Sequence, residues 1–241
     1  MPTVHTLRLR LSNAFLIRGE RPILVDAGSV GEADRIIAAI RGKGVEPHTL
    51  ALILLTHGHL PVTGSAGELR RRTGAPIAIH AADAEMLRMG HNAPLRPTCF
   101  SARVAAPVVQ GGRGEPTQPD LVLDGERSLR DIGIDGRIIE TPGHTAGSIS
   151  LLLRDGDALV GDLLMGGYLG GLVRRRVPNL AYFQEDDEAA RQSLRMILGS
   201  GARRLYVGHG GPLAAEHVAL RFGLARKRDS GGISRRADSA P

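Results

Sequence analysis

The chain has 241 residues, of which 42% are apolar and 23% charged, a size and balance that suit one large or two small domains with a substantial core. They exclude a disordered chain and a fibrous repeat. With 4 Phe, 3 Tyr and no Trp, there is little material for stacking exposed bases, and the single cysteine, Cys99, forms neither an intramolecular disulfide nor a cysteine zinc site. A reducing compartment, the cytoplasm, is the expectation. The opening Met-Pro-Thr-Val-His has no cationic-then-apolar leader, and the longest apolar run, Leu50 to Leu55, is too short to cross a bilayer. The net charge is +6, half of it carried beyond Leu224 by Arg226, Lys227, Arg228, Arg235 and Arg236 against Asp229 and Asp238. Residues 1–224 therefore read as the folded domain and 225–241 as a basic, disordered tail.

Thr3 to Leu11, Ala14 to Arg18 and Pro22 to Asp26 read as three strands of an antiparallel meander, with turns at Ser12-Asn13 and Gly19-Glu20. Ile36, Ile37 and Ile40 recur at helical spacing until Gly42 and Gly44 stop the pattern. A buried strand follows at Leu50 to Leu55. A helix then runs from near Thr63 through Glu68 to Arg72, followed by a strand at Pro76 to His80 and a short helix at Asp83 to Met89. Residues 90–120 are rich in Pro and Gly and read as an irregular loop, a lid or partner surface. Strands resume at Leu121 to Leu123, Arg137 to Glu140, Ser148 to Leu153 and Ala158 to Val160. Helices at Glu185 to Leu198 and Leu213 to Phe222 flank a last strand, Arg204 to Val207. A β-rich run followed by α/β units, twice over, predicts two sheets packed face to face with helices outside.

Four of the nine histidines stand at strand ends: His57 and His59 after the buried strand, His144 in Thr-Pro-Gly-His-Thr, and His209 in Gly-His-Gly. Residues i and i+2 of an extended segment project to one side, so His57 and His59 have the spacing of metal ligands, with Gly58 offering no obstacle between them. Asp162 also ends a strand and supplies a hard anionic oxygen that either binds a cation or orients its water.

These residues resemble the metallo-β-lactamase superfamily across residues 3 to 224. The family signature Thr-His-x-His-x-Asp-His-x-Gly is met here by Thr56-His57-Gly58-His59-Leu60-Pro61-Val62-Thr63-Gly64. His144, Asp162 and His209 match its later motifs, and Val25-Asp26-Ala27-Gly28 is similar to an early segment whose carboxylate supports the ligands from behind. The resemblance implies a four-layer αβ/βα sandwich of the α/β class. It also implies that His57, His59 and His144 hold a first metal, and that Asp162 and His209 belong to the same metal centre. Dinuclear members complete a second site with an Asp and a His where this chain has Pro61 and Val62, neither of which ligates a metal. Two remaining donors make a poor second site, which predicts a single ion.

The expected function is a metal-dependent hydrolase that attacks a small ester, lactone, thioester or amide with a metal-bound hydroxide, on one zinc. Asp162 and His209 stand in for the missing base, a role worth about 10²- to 10⁴-fold. Two alternatives are a non-haem iron dioxygenase of the same fold and a metal-binding protein that has lost catalysis. The partner is a small molecule. A pI of 10.3 invites a nuclease reading, but phosphodiester cleavage of that kind uses two metals, and half the charge lies in the tail. No membrane anchor is expected, and the oligomeric state is open, a homodimer included. Arg174-Arg175-Arg176 reads as a solvated loop or a site for an anionic substrate. Tyr168 and Tyr182 read as packing residues or oxyanion donors.

Overall fold

The computed structural model describes residues 2–224; the expected basic tail, 225–241, lies outside the described residues. The meander forms as β1 (Thr3–Arg8), β2 (Asn13–Arg18) and β3 (Ile23–Val25), followed by α1 (Ala33–Arg41) and β4 (Leu52–Leu54). The expected helix from Thr63 is two helices, α2 (Leu60–Thr63) and α3 (Ala66–Thr73), and then come β5 (Ile77–His80) and α4 (Ala84–Met89). Residues 90–120 are not one irregular loop, because α5 (Phe100–Gly111) runs through them with Pro107 inside it. Proline removes one helical N–H, which led the sequence reading to count it as a breaker.

β6 (Leu121–Leu123), β7 (Arg127–Ser128), β8 (Gly136–Glu140), β9 (Ile149–Leu153) and β10 (Asp157–Leu159) follow. The Gly-rich stretch then pairs as a hairpin, β11 (Met165–Tyr168) with β12 (Val173–Asn179), where the sequence suggested only a loop. Last come α6 (Asp187–Gly199), β13 (Arg204–Tyr206), β14 (Leu213–Ala214) and α7 (Ala215–Arg221). The expected final helix starts two residues late because Leu213 and Ala214 pair with β13 first.

Two six-stranded sheets result, in the orders β1-β2-β3-β4-β5-β6 and β14-β13-β10-β9-β8-β7. The alternation of side chains along each strand divides the core into three. On β2, β3 and β4, Phe15, Ile17, Ile23, Val25, Leu52 and Leu54 face the second sheet, where they meet Ile149, Leu151 and Leu153 of β9. Their neighbours Leu16, Leu24 and Ile53 face outward onto Ile36, Ile37 and Ile40 of α1 and Leu69 of α3. Across the second sheet Leu152, Ala158 and Leu205 pack on Leu194 and Ile197 of α6 and Val218 of α7. Three apolar layers between four layers of secondary structure make an αβ/βα sandwich.

Parallel pairing of β3, β4 and β5 sends the chain out at the same edge after each strand. The segments after β4, β8, β10 and β13 carry His57 and His59, His144, Asp162 and His209 respectively. The inter-sheet layer fixes how these segments approach one another. Phe15 is fully buried there, edge-on to Tyr206 with ring centroids 5.8 Å apart. Truncation by Phe15→Ala should destabilise the protein by about 3–5 kcal/mol, read as a lower midpoint in urea unfolding with an unchanged slope.

Candidate metal centre

His57, His59 and His144 meet at the mouth of the sandwich, and one ring nitrogen of each lies within 4.8 Å of the others. All three rings are buried and meet edge to face, with centroids 4.6 to 5.2 Å apart. The orientations of His57 and His144 are set by hydrogen bonds on the far side of the ring. The Thr56 hydroxyl donates to Asp26 Oδ2 at 3.1 Å, so it accepts from His57 Nδ1, also at 3.1 Å. That leaves His57 Nε2 with a lone pair, buried and without a partner. His144 Nδ1 donates to the Phe183 carbonyl at 2.7 Å, which turns its Nε2 to within 2.9 Å of His59 Nδ1. Nitrogen donors so arranged fit a metal ion, and the hydrogen bonds behind them are of the kind that orient metal-bound histidine.

Burial and the neighbouring His144 push His57 down to about 3 and His59 well below the usual imidazole value. Both rings are therefore neutral at pH 7, the form that ligates. Beside them sits Asp162, with Oδ2 3.9 Å from His57 Nε2, 3.9 Å from His144 Nε2 and 3.2 Å from His209 Nε2. Burial alone would raise its carboxyl, but the positive charge and hydrogen bond of His209 hold it below the usual carboxylate range. Burial acts to lower His209 too, and the Asp162 charge and the bond from Nδ1 to the Leu11 carbonyl at 2.7 Å raise it instead. The hairpin fixes the His209 loop through Gly166 N–H to the His209 carbonyl and Gly211 N–H to the Arg175 carbonyl.

Two buried carboxylates hold the loops that carry the imidazoles. Asp26, at the end of β3 in a left-handed backbone (φ 66°), accepts from both the N–H and the hydroxyl of Thr56. An Asp tolerates that conformation better than most residues, and such strain gathers at functional sites. Burial pushes the Asp26 carboxyl up to about 7 despite the two Thr56 hydrogen bonds. Asp83, three residues beyond β5, was not singled out from the sequence. Its carboxylate accepts from Gly58 N–H at 2.7 Å, the Thr145 hydroxyl at 2.7 Å and Gly147 N–H at 2.9 Å. It thus clasps the His57-His59 loop of one sheet to the His144 loop of the other. Its position just past a strand end, like those of Asp26 and Asp162, was the signal available.

Gly58 does more than separate two histidines, because a Cβ there would lie 2.5 Å from the Met86 side chain on α4. Gly143, at φ 139°, lets the His144 loop lie against Ala190 of α6, where a Cβ would lie 2.4 Å from backbone. Of the two residues at the second-metal positions, Val62 is wholly buried in the helix-side core, and Pro61 borders the cavity in front of the imidazoles. That cavity holds about 270 Å³. Tyr182 lines it, whereas Tyr168 is half exposed on β11 and faces away from it. Arg174 and Arg176 are exposed on β12, and none of the three arginines lines the cavity.

Residues 7–209 match the family model described as the metallo-beta-lactamase superfamily. The chain belongs to that superfamily. Among its relatives, the probable metallo-hydrolase YflN of Bacillus subtilis is 29% identical over 89% of this chain and 86% of its own length. A hydroxyacylglutathione hydrolase of Cereibacter sphaeroides is 32% identical over 76% of this chain, which spans 56% of that protein. Among solved structures, the BLEG-1 B3 metallo-beta-lactamase superposes with a TM-score of 0.67 at 18% identity, covering 90% of this chain and 97% of that one. The di-iron-bound form of TTHA1623 does so with a TM-score of 0.63 at 24% identity, covering 91% and 96%. At those identities the likeness is one of fold. A metallo-beta-lactamase superfamily chain binds divalent metal, and the three imidazoles are the donors at hand.

Removal of the clasp should weaken metal binding rather than the fold as a whole. Asp83→Ala is expected to lower zinc affinity about 10- to 100-fold, measured by competition with a chelating dye. Asp83→Asn, which keeps one acceptor oxygen, should fall between the two.

Proposed function

We propose that this metallo-hydrolase cleaves a small ester, lactone, thioester or amide with one zinc ion held by His57, His59 and His144, and with Asp162 and His209 managing the attacking water. The observation that carries the reading is the convergence of three buried imidazoles beside a carboxylate-imidazole pair, at the floor of a cavity of small-molecule size. When bound, the metal supplies a Lewis acid that polarises the scissile carbonyl and brings the acidity of water to about pH 7.

The remaining work falls to side chains. Asp162 Oδ2 stands 3.9 Å from His57 Nε2 and from His144 Nε2, within hydrogen-bonding reach of a water placed among the rings. As an ionised carboxylate it orients that water and accepts its proton. His209 is fixed by Leu11 through Nδ1 and turns Nε2 to the same carboxylate oxygen, so its charged ring can give the Nε2 proton to the leaving group and regain one through Asp162. Tyr182 offers a hydroxyl to the developing oxyanion from the cavity wall. A single ion is favoured over two because Pro61 and Val62 bring no donor, and Val62 is engaged in the core. The lone exposed Cys99 suits a reducing compartment, the cytoplasm. Among the described residues no helix is long and apolar enough to cross a membrane.

Elemental analysis of the purified protein should give one zinc per chain, and chelation should abolish turnover of an ester and lactone panel until zinc is restored. Two ions per chain would overturn the argument from Pro61 and Val62, while one iron with oxygen-dependent turnover would favour the dioxygenase. Asp162→Ala and His209→Ala should each lower kcat by about 10²- to 10⁴-fold; unchanged rates in both variants would remove these residues from the chemistry.

A further inference from the structure

The walls of the cavity say more about the substrate than its floor does. Above His59, His144, Asp162 and His209, the lining comes from Leu11 of the β1-β2 turn, Pro61 of α2, Leu95, Val109 of α5, Leu169 at the hairpin tip and Phe183. Among the described residues, and apart from the four on the floor, Tyr182 is the one polar side chain on it, and no lysine or arginine reaches it. A carboxylate or phosphate lying against these walls, away from the floor, would find no lysine or arginine of the described residues to pair with, and its desolvation would oppose binding. A cavity of about 270 Å³ also lies near the lower limit for small-molecule sites.

The roof of the cavity is a fixed part of the fold. α5 lies over the site and turns Ala105 and Val109, one helical turn apart, into the cavity. Buried Asn92 ties it down by donating Nδ2–H to the Val109 carbonyl at 2.9 Å and accepting Leu60 N–H at 2.8 Å. Leu60 directly follows His59, so the apolar roof is registered against the imidazoles. Thr98 N–H to the Tyr182 carbonyl and Gln184 N–H to the Arg96 carbonyl stitch the same segment to residues 182–184 beside His144.

Resting on the hydrolytic reading above, we infer that the cavity takes the apolar acyl part of the substrate: an uncharged aliphatic acyl group whose carbonyl carbon faces the imidazoles, with the leaving group toward the cavity mouth. In the cleavage, the bond from the acyl carbon to the leaving oxygen, sulfur or nitrogen breaks as a water oxygen bonds to that carbon. The protons of water end on the leaving group and in solution, and the product is the free fatty acid. Pro61 contributes directly, since its ring puts hydrocarbon on the wall at a position where dinuclear members present a carboxylate.

The test has two arms on the zinc-loaded protein. In the first, p-nitrophenyl acetate, butyrate, hexanoate and octanoate are compared with p-nitrophenyl hemisuccinate. Each methylene added within the cavity should raise kcat/KM by about fourfold, levelling off once the chain outgrows the space, and the hemisuccinate should fall well below the butyrate. Val109→Phe should collapse the ratio of hexanoate to acetate. In the second arm, alkyl methyl ketones, which are not hydrolysed, are titrated calorimetrically, and Kd should fall with each methylene in parallel. Ketone affinity that is flat with chain length, or hemisuccinate turned over as well as butyrate, overturns the inference. Chain-length-dependent ketone binding without turnover of any ester upholds the acyl cavity and overturns the hydrolytic function alone.

Discussion

Three imidazoles buried within 4.8 Å of one another gain nothing from water, and burial beside His144 disfavours a proton on His57 and His59. Such a cluster persists only where the surrounding backbone leaves it no alternative. Here that restraint comes from hydrogen bonds to two buried carboxylates, Asp26 acting through Thr56 and Asp83 on the loops themselves. His57 and His144 present Nε2 to one point because the Nδ1 of each is already committed, to the Thr56 hydroxyl and the Phe183 carbonyl. Asp162 and His209 complete the arrangement from the sheet that also carries His144, each holding the other's charge in place.

The two sheets serve this restraint. Each strand-end loop is short, and the inter-sheet layer around Phe15, Leu54, Leu151 and Tyr206 sets the distance between the loop carrying His57 and that carrying His144. A packed interior does not yield continuously, so the spacing of the ligands inherits the rigidity of the core. The hairpin β11-β12 adds the one connection that the sheets do not provide, anchoring the His209 loop on both sides.

Much of this was legible in the sequence because it rests on local periodicity. Short apolar runs in β2 and β9 and the Ile36-Ile37-Ile40 stripe of α1 mark strands and helix without reference to the rest of the chain. The five site residues were legible through their order and local context, since His-x-His after a buried strand and Pro-Gly-His are compact signals. Asp83 and Asn92 were not, because each acts on backbone groups distant in sequence and has no motif around it. α5 was missed because Pro107 and the glycines after it are read locally as breakers, whereas contacts of the segment with Tyr182 and Leu60 hold the helix in place. The hairpin was missed for the same reason, its glycines being spent on a bulged, tightly packed ribbon rather than on a free loop.

The bond from Asn92 to the residue after His59 joins two properties that enzymes usually vary independently. A mutation that widens or narrows the roof to suit a new acyl group also pulls, through one buried amide, on the peptide that aims an imidazole. Adaptation of this lineage to a different substrate would therefore proceed more readily through the hairpin tip at Leu169, which borders the same space without that linkage, than through α5.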